Sequence, residues 1–166
     1  TRCTSSAASD VYKRQVVDTA NAVVAEVAAS GFGPGGLDEA NTVVVSGGDV
    51  DTGEAAAIQS ISGYEGSASD YDITDNAAAL ISAGDGVLDV DGVDTVSVTG
   101  GPVDADTGEA LAELSKDIEF DVVDDANAVA AEVTGSNGAG DLDEANSVVI
   151  SGGDVDTGEA AAIQSI

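Results

Sequence analysis

Residues 46–61 read SGGDVDTGEAAAIQSI, and the same sequence recurs without change at 151–166. The blocks on the N-terminal side recur as well: VVDTANAVVAEV (16–27) as VVDDANAVAAEV (122–133), and GLDEANTVVV (36–45) as DLDEANSVVI (141–150). A diverged middle occurrence, from about Tyr71 to Lys116, carries DITDNAAALI and DADTGEALAEL. A repeat unit of about 50 to 57 residues indicates a solenoid or a tandem array.

Each unit contains two predicted strands. Residues 118–122, IEFDV, alternate apolar and acidic side chains, and this period of two is typical of a half-buried strand. YDI at 71–73 shows the same alternation. The second strand is VVV at 43–45, VSV at 96–98 or VVI at 148–150. Its nearly continuous β-branched character predicts a strand that is covered on both faces.

Each unit also contains two predicted helices, both beginning after an aspartate that serves as N-cap. The predicted caps are Asp18, Asp75 and Asp124 for the first helix, and Asp51, Asp106 and Asp156 for the second. Behind the first cap, apolar residues fall at the spacing of one helix face. These stripes are Ala20, Val23, Val24 and Val27, and Ala126, Val129, Ala130 and Val133. In the second helix, a glutamate three residues after the aspartate predicts a variant of the capping box.

The order strand, helix, strand, helix with short connections predicts an α/β fold with parallel strands. Right-handed crossovers would stack the units as a solenoid. We expect repeat 1 at 16–70, a diverged repeat 2 at 71–117 and a truncated repeat 3 at 118–166. Discrete tandem domains are the alternative, but a unit of this size with few large side chains has little core of its own.

The first fifteen residues differ from all that follows. Residues 5–15, SSAASDVYKRQ, match the translation of a transposase adapter used in preparing DNA sequencing libraries. A signal peptide would need an apolar segment after Lys13 and Arg14, and none follows. We therefore expect residues 1–15 to be a disordered artefact of that adapter, and the natural protein to be longer at both ends.

The charge of the chain excludes several partners. The 166 residues contain 32 acidic and only 4 basic residues, giving a net charge of −28. Nucleic acids and anionic membranes are bound through Lys and Arg, so neither is expected as a partner. No apolar run is long enough to span a bilayer. The hydrophobic content of 43% and its periodicity nevertheless predict a folded chain.

Catalysis is not expected. The chain has no histidine, its single cysteine, Cys3, lies in the adapter segment, and no nucleophile-elbow or phosphate-loop motif is present. Carboxylates are so numerous that pairs of them are unavoidable, and a sugar cleft would lack its aromatic platforms. The sequence therefore predicts a protein that is not an enzyme.

Calcium is the one candidate ligand. Residues 85–92, DGVLDVDG, place Asp85, Asp89 and Asp91 in a glycine-containing loop, and hard oxygen ligands suit calcium. Asp-x-Asp pairs at 49/51, 104/106, 154/156 and 141/143 add similar loops. Aspartate also favours turns and helix caps without any metal, and no complete EF-hand loop is present. A third explanation of the acidity is a saline habitat, in which screening makes a charged surface tolerable.

Blocks of the type D-T-A-x-N, followed by an alanine-rich helix, a valine-rich strand and a second capped helix, resemble arrays in giant secreted bacterial adhesins of the RTX type. The resemblance covers residues 16–166, but the calcium-binding nonapeptide G-G-x-G-x-D of that family is absent. It implies a structural repeat segment of an extracellular or cell-surface protein, acting as adhesin, stalk or fibre. Its expected partners are neighbouring repeats of one longer chain and cell-surface or matrix ligands. The alternatives are a calcium-binding repeat module and an acidic halophilic scaffold.

Overall fold

The computed structural model describes residues 15–29, 37, 40–135 and 142–166; residues 1–14, which lie within the adapter-like segment 1–15, and residues 30–36, 38–39 and 136–141 lie outside them. The strands are β1 Gln15–Asp18, β2 Thr42–Val50, β3 Asp70–Asn76, β4 Val93–Thr99, β5 Ile118–Glu119, β6 Asp121–Asp124 and β7 Ser147–Ile150. The helices are α1 Ala20–Ala29, α2 Thr52–Gln59, α3 Ala77–Ala83, α4 Asp85–Leu88, α5 Ala105–Ala112, α6 Ala126–Thr134 and α7 Thr157–Ile163. Short 3₁₀ helices occur at Gly66–Ala68 and Leu142–Glu144.

The strands form parallel sheets in which neighbours follow the order of the chain. Five of them pair as β1-β2-β3-β4-β5, and β6 pairs with β7. Every pairing is parallel. A parallel bridge between Val103 and Val122 connects the segment after β4 to β6. The predicted α/β class with parallel strands alternating with helices is therefore confirmed.

The predicted alternation of buried and exposed side chains is present in the strands. Tyr71 and Ile73 of β3 are fully buried, and Gln59 Nε2 donates a hydrogen bond to Tyr71 Oη at 2.9 Å. Phe120 separates β5 from β6 yet is only 3% exposed. The strand predicted at 118–122 thus keeps its buried face, although its pairing is interrupted at Phe120.

The helices pack side by side in chain order, with the short helix α4 beside α2 and α3. Helix α1 packs on α2, α2 on α3 and α4, α3 on α5, α5 on α6 and α6 on α7. Their buried residues include those predicted from the apolar stripes, with Ala20 and Val23 in α1 and Ala126, Val129 and Val133 in α6. One apolar cluster extends from α1 to the 3₁₀ helix at Leu142–Glu144. The core is therefore continuous along the row.

The other face of the sheet is open in places, contrary to the prediction that the second strand of each unit is covered on both faces. Val149 in β7, one of these second strands, is 50% exposed, and Val17 in β1, a first strand, is 58% exposed. Only in β2 are all three consecutive valines buried. The prediction is wrong for β7, in which both Val149 and Ile150 are exposed.

Two sets of predicted helix caps are displaced by one or two residues. The cap of α3 is Asn76 and that of α6 is Asp125, each one residue after the predicted aspartate. Helix α5 is capped by Asp104, not by Asp106, which lies in its first turn. The capping boxes predicted at Asp51 and Asp156 are confirmed.

The identical segments 46–61 and 151–166, here the upstream and downstream segments, differ in structure. In the upstream segment, β2 continues to Val50 by pairing with β3. In the downstream segment, residues 151–156 form no strand. Ile61 is 9% exposed, whereas its counterpart Ile166 is 36% exposed. Because the sequences are identical, the difference comes from the neighbouring unit of one strand and the helix that follows it, here called a coil. Such a coil covers only the upstream segment.

Candidate functional site

The segment predicted to bind calcium is partly helical. Asp85 is the first residue of the single-turn helix α4, where its negative charge favours the helix N-terminus. Its carboxylate accepts from Ser115 twice, through Oδ1 from the backbone N at 2.8 Å and through Oδ2 from Oγ at 2.9 Å. Both oxygens therefore connect α4 to the turn after α5.

The other two predicted ligands lie where α4 ends and in the turn that follows. Asp89 is the C-cap of α4, and its backbone N donates to the carbonyl of Asp85 at 3.0 Å. The carbonyl of Asp91 accepts from Tyr64 Oη at 2.9 Å. Gly92 has φ of +100°, a left-handed conformation that favours glycine, and its Cα lies against Tyr64. These hydrogen bonds connect the turn to α4 and to Tyr64.

The structure does not bring these carboxylates together as a ligand cluster. Within residues 15–29, 40–135 and 142–166, no group of three Asp, Glu, His or Cys side chains could hold a metal ion. In three of the four Asp-x-Asp pairs, one member caps a helix: Asp51, Asp104 and Asp156. The pair at 141/143 lies partly outside the described residues. Calcium binding by Asp85, Asp89 and Asp91 stays a prediction.

The calcium hypothesis predicts stabilisation by calcium at constant high NaCl, where general screening is already saturated. Binding to the native state alone adds about 2.7 kcal/mol at a hundredfold excess over Kd. Changing Asp89→Asn and Asp91→Asn together should remove this increment, as thermal unfolding with calcium and with magnesium would measure. Equal effects of the two ions, or full calcium stabilisation of the double variant, would contradict the hypothesis.

Aspartates at the strand ends perform a role that the sequence did not reveal. Asp75 Oδ2 accepts from Thr52, the first residue of α2, through the backbone N at 3.2 Å and Oγ1 at 2.8 Å. Asp124 Oδ2 accepts from the backbone N of Ala105, the first residue of α5, at 3.0 Å. Each side chain therefore caps a helix of the preceding strand–helix coil. Burial raises the pKa of Asp75, but the hydrogen bonds from Thr52 and Asn76 outweigh it and hold that pKa below its usual range.

The open face of the sheet carries carboxylates that bond to hydroxyls on the next strand. Asp72 Oδ1 in β3 accepts from Thr95 in β4, through the backbone N at 3.1 Å and Oγ1 at 2.5 Å. Asp121 Oδ1 accepts from Ser147 Oγ at 2.6 Å. Asp49 lies opposite Asp72 in the register, a pair of like charges that is unfavourable across strands. The residues named on this face therefore carry carboxylate or hydroxyl groups.

A cluster of three carboxyl groups lies between α5 and α6. Glu132 of α6 faces Glu109 and Asp106 of α5. A hydrogen bond with Glu109, together with burial and the charges of Glu109 and Asp106, raises the pKa of Glu132 to about 7. Two carboxyl groups can share one proton where both cannot ionise cheaply. We therefore expect the α5–α6 contact to depend on pH.

We expect Glu132→Gln to remove part of the pH dependence of stability. Because the pKa in the folded state, about 7, exceeds the ordinary value of 4.5, protonation favours folding. This stabilisation is full below pH of about 4.5 and is lost as pH rises through about 7. The glutamine keeps a hydrogen-bond donor without the charge, so the variant should be more stable at pH 8, by about 1 kcal/mol or less after solvent screening.

Urea unfolding of both chains at pH 5 and pH 8 measures this difference. Glu119→Gln, on the exposed side of β5, removes the same charge outside the cluster and serves as control. If Glu132→Gln and Glu119→Gln change the pH dependence equally, the cluster has no special role.

The fold and its surface define the chain as a parallel α/β protein with an acidic open sheet face. No helix among the described residues is long and apolar enough to cross a membrane. No protein-family model, curated protein or solved structure matches the chain.

Proposed function

We propose that this chain is a structural segment of an α/β solenoid, in which each strand–helix coil stacks on the one before it. The observation that carries the proposal is the order of the strands, which are all parallel and adjacent in chain order. The bridge between Val103 and Val122 extends this order from the five-stranded sheet to β6 and β7. The packing of the helices in chain order, α1 on α2, α3 on α5, α5 on α6 and α6 on α7, supports the proposal, because a solenoid repeats the same contact between neighbouring units.

Hydrogen bonds between successive coils support the same arrangement. Thr52 and Asp75 are 23 residues apart, as are Asp72 and Thr95. Ser147 and Asp121, which are 26 residues apart, make the strand-to-strand contact that corresponds to the one between Thr95 and Asp72. A side-chain contact that recurs about once per coil is expected where similar coils repeat the same neighbour interaction.

We further propose that the segment belongs to a large bacterial secreted or cell-surface protein, as adhesin, stalk or fibre, and that it is not an enzyme. The resemblance of residues 16–166 to secreted repeat arrays and the net charge of −28 support this assignment. Its partners are neighbouring repeats of the same longer chain, with cell-surface or matrix ligands beyond them.

A second candidate is an acidic scaffold adapted to a saline habitat. It is favoured by the wide distribution of the acidic residues, since none of the described polar or charged residues is buried. Antibodies against this chain separate the two candidates: they should label intact cells that carry the gene if the segment is displayed on the surface. Labelling only after lysis would contradict surface display and support the scaffold.

Amide hydrogen exchange tests the stacked arrangement itself. Coils that contact only their neighbours open from the ends, so protection should be greatest between β3 and α5 and decrease toward both ends. Assigned NMR spectra would measure it amide by amide. Uniform protection from α1 to α7 would indicate one globular unit and contradict the solenoid.

A further inference from the structure

The contacts described above join each coil to the next one, counting the coil of β1 and α1 as the first. Every pairing in the five-stranded sheet joins strands that are successive in the chain. Side-chain hydrogen bonds follow the same order. Thr52 in the second coil bonds to Asp75 in the third, and Thr95 in the fourth bonds to Asp72 in the third. A coil is therefore held in place by its neighbours.

The described part of the chain joins its coils without covalent cross-links. It contains no cysteine, so no disulfide connects one described coil to another. Its one basic residue, Lys116, donates from Nζ to the carbonyl oxygen of Val93 at 2.8 Å. That bond lies within the fourth coil and is not an ion pair with another coil. Short strand ladders, hydrogen bonds and small apolar side chains therefore carry the contact between neighbouring coils.

Tension along such a chain acts across its strands. The strands β1 and β5 lie at opposite edges of their sheet, so a pull between them runs broadly along the backbone hydrogen bonds that join the strands. The load reaches each ladder first at the end where the chain enters it. The register pairs of a ladder, such as the four between β1 and β2, then separate one after another and not all together.

We propose that this segment lengthens under tension by releasing one coil at a time, so that a stalk or fibre built from it absorbs load. The inference rests on the solenoid and the stalk role proposed above. A released coil loses its contacts with one neighbour and leaves the remaining coils in place, because each pairing is with the next coil. On relaxation it folds again on that neighbour, since contacts of short sequence separation form fast.

The length gained per coil follows from the positions of the strands. Strands β3, β4 and β5 begin at residues 70, 93 and 118, so a coil contains about 25 residues. Fully extended, these residues span about 80–90 Å. In the folded sheet a coil occupies only about 5 Å across the strands, the distance between neighbouring strands. Each release should therefore lengthen the chain by about 80 Å.

Optical tweezers that hold the full chain by DNA handles at its two ends test the proposal. Near the force at which it opens, the chain should dwell at intermediate lengths that are separated by about 80 Å. Movement only between the folded and the fully extended length, or intermediates that are not multiples of one coil, would overturn the proposal. Amide exchange that decreases toward both ends, combined with a single extension step, would overturn stepwise release and leave the solenoid standing.

Thr95→Val weakens one junction between coils and keeps a β-branched side chain in β4. It removes the Oγ1 hydrogen bond to Asp72, which joins the fourth coil to the third. One step should then spend about fivefold more time open at a given force, while the other steps stay unchanged. Thr99→Val is the matched control, because Thr99 is exposed at the end of the same strand and makes none of the bonds between coils named above. An equal shift of every step in Thr95→Val would show that the coils open as one unit, which contradicts the proposal.

Discussion

Ile58→Ala is expected to lower the free energy of unfolding by about 2–5 kcal/mol, the range for a fully buried large-to-small change. The same substitution at Ile163 should cost about 1 kcal/mol or less. Ile58 is 0% exposed, whereas Ile163 is only partly buried. The two residues lie in identical segments of sixteen residues, 46–61 and 151–166, so local propensity and helix capping cancel in the comparison.

Urea unfolding at low protein concentration measures both variants without contributions from association. The difference between the two losses in the free energy of unfolding measures how much the coil that covers Ile58, which includes β3, stabilises it. Ala56→Gly and Ala161→Gly are matched controls, because both alanines are exposed in the corresponding helices and should cost similar amounts, about 1 kcal/mol. Equal losses at Ile58 and Ile163 would mean that the coils do not support one another.

Local periodicity was enough to predict most strands and helices. The alternation at 118–122 predicted the buried face of Ile118, Phe120 and Val122, and all three are at most 3% exposed. The stripe beginning at Ala126 predicted the buried face of α6. These signals work because each side chain is placed on its face by the geometry of its own strand or helix.

Contacts between coils could not be predicted in the same way. Asp124 and Asp125 are adjacent and either can cap a helix, so the sequence does not decide between them. Asp124 bonds to Ala105, 19 residues earlier, and Asp125 is thereby left as the cap of α6. An aspartate directly before the cap residue is the sequence signal that could have indicated this contact, since it recurs at Asp75.

The predicted calcium segment illustrates the same limit. Asp85 was placed in a loop with Asp89 and Asp91 because the three lie close in sequence. Its carboxylate instead bonds to Ser115, 30 residues away. Proximity along the chain gives a set of candidate ligands, but only tertiary structure decides whether their oxygens converge.

Stability should rise strongly with ionic strength. The chain carries a net charge of −28, and folding brings these charges closer together, so repulsion disfavours the compact state. Between 0.01 M and 1 M salt the Debye length falls from about 30 Å to about 3 Å, which removes most of this repulsion. We expect Tm to increase by on the order of 10 °C, because each kcal/mol shifts Tm by about 2–4 °C in a chain of this length.

Thermal unfolding in NaCl and in KCl at equal ionic strength measures the effect, and the two salts should act alike if screening is the cause. A variant with Asp94→Lys, Asp117→Lys and Glu119→Lys replaces three exposed carboxylates with cations. Its net charge is less negative, so its Tm should be higher at low salt and should respond less to added salt. A Tm that stays flat or falls up to 1 M NaCl, or a triple variant with the same salt response, would show that repulsion between the acidic side chains does not limit the stability of this fold.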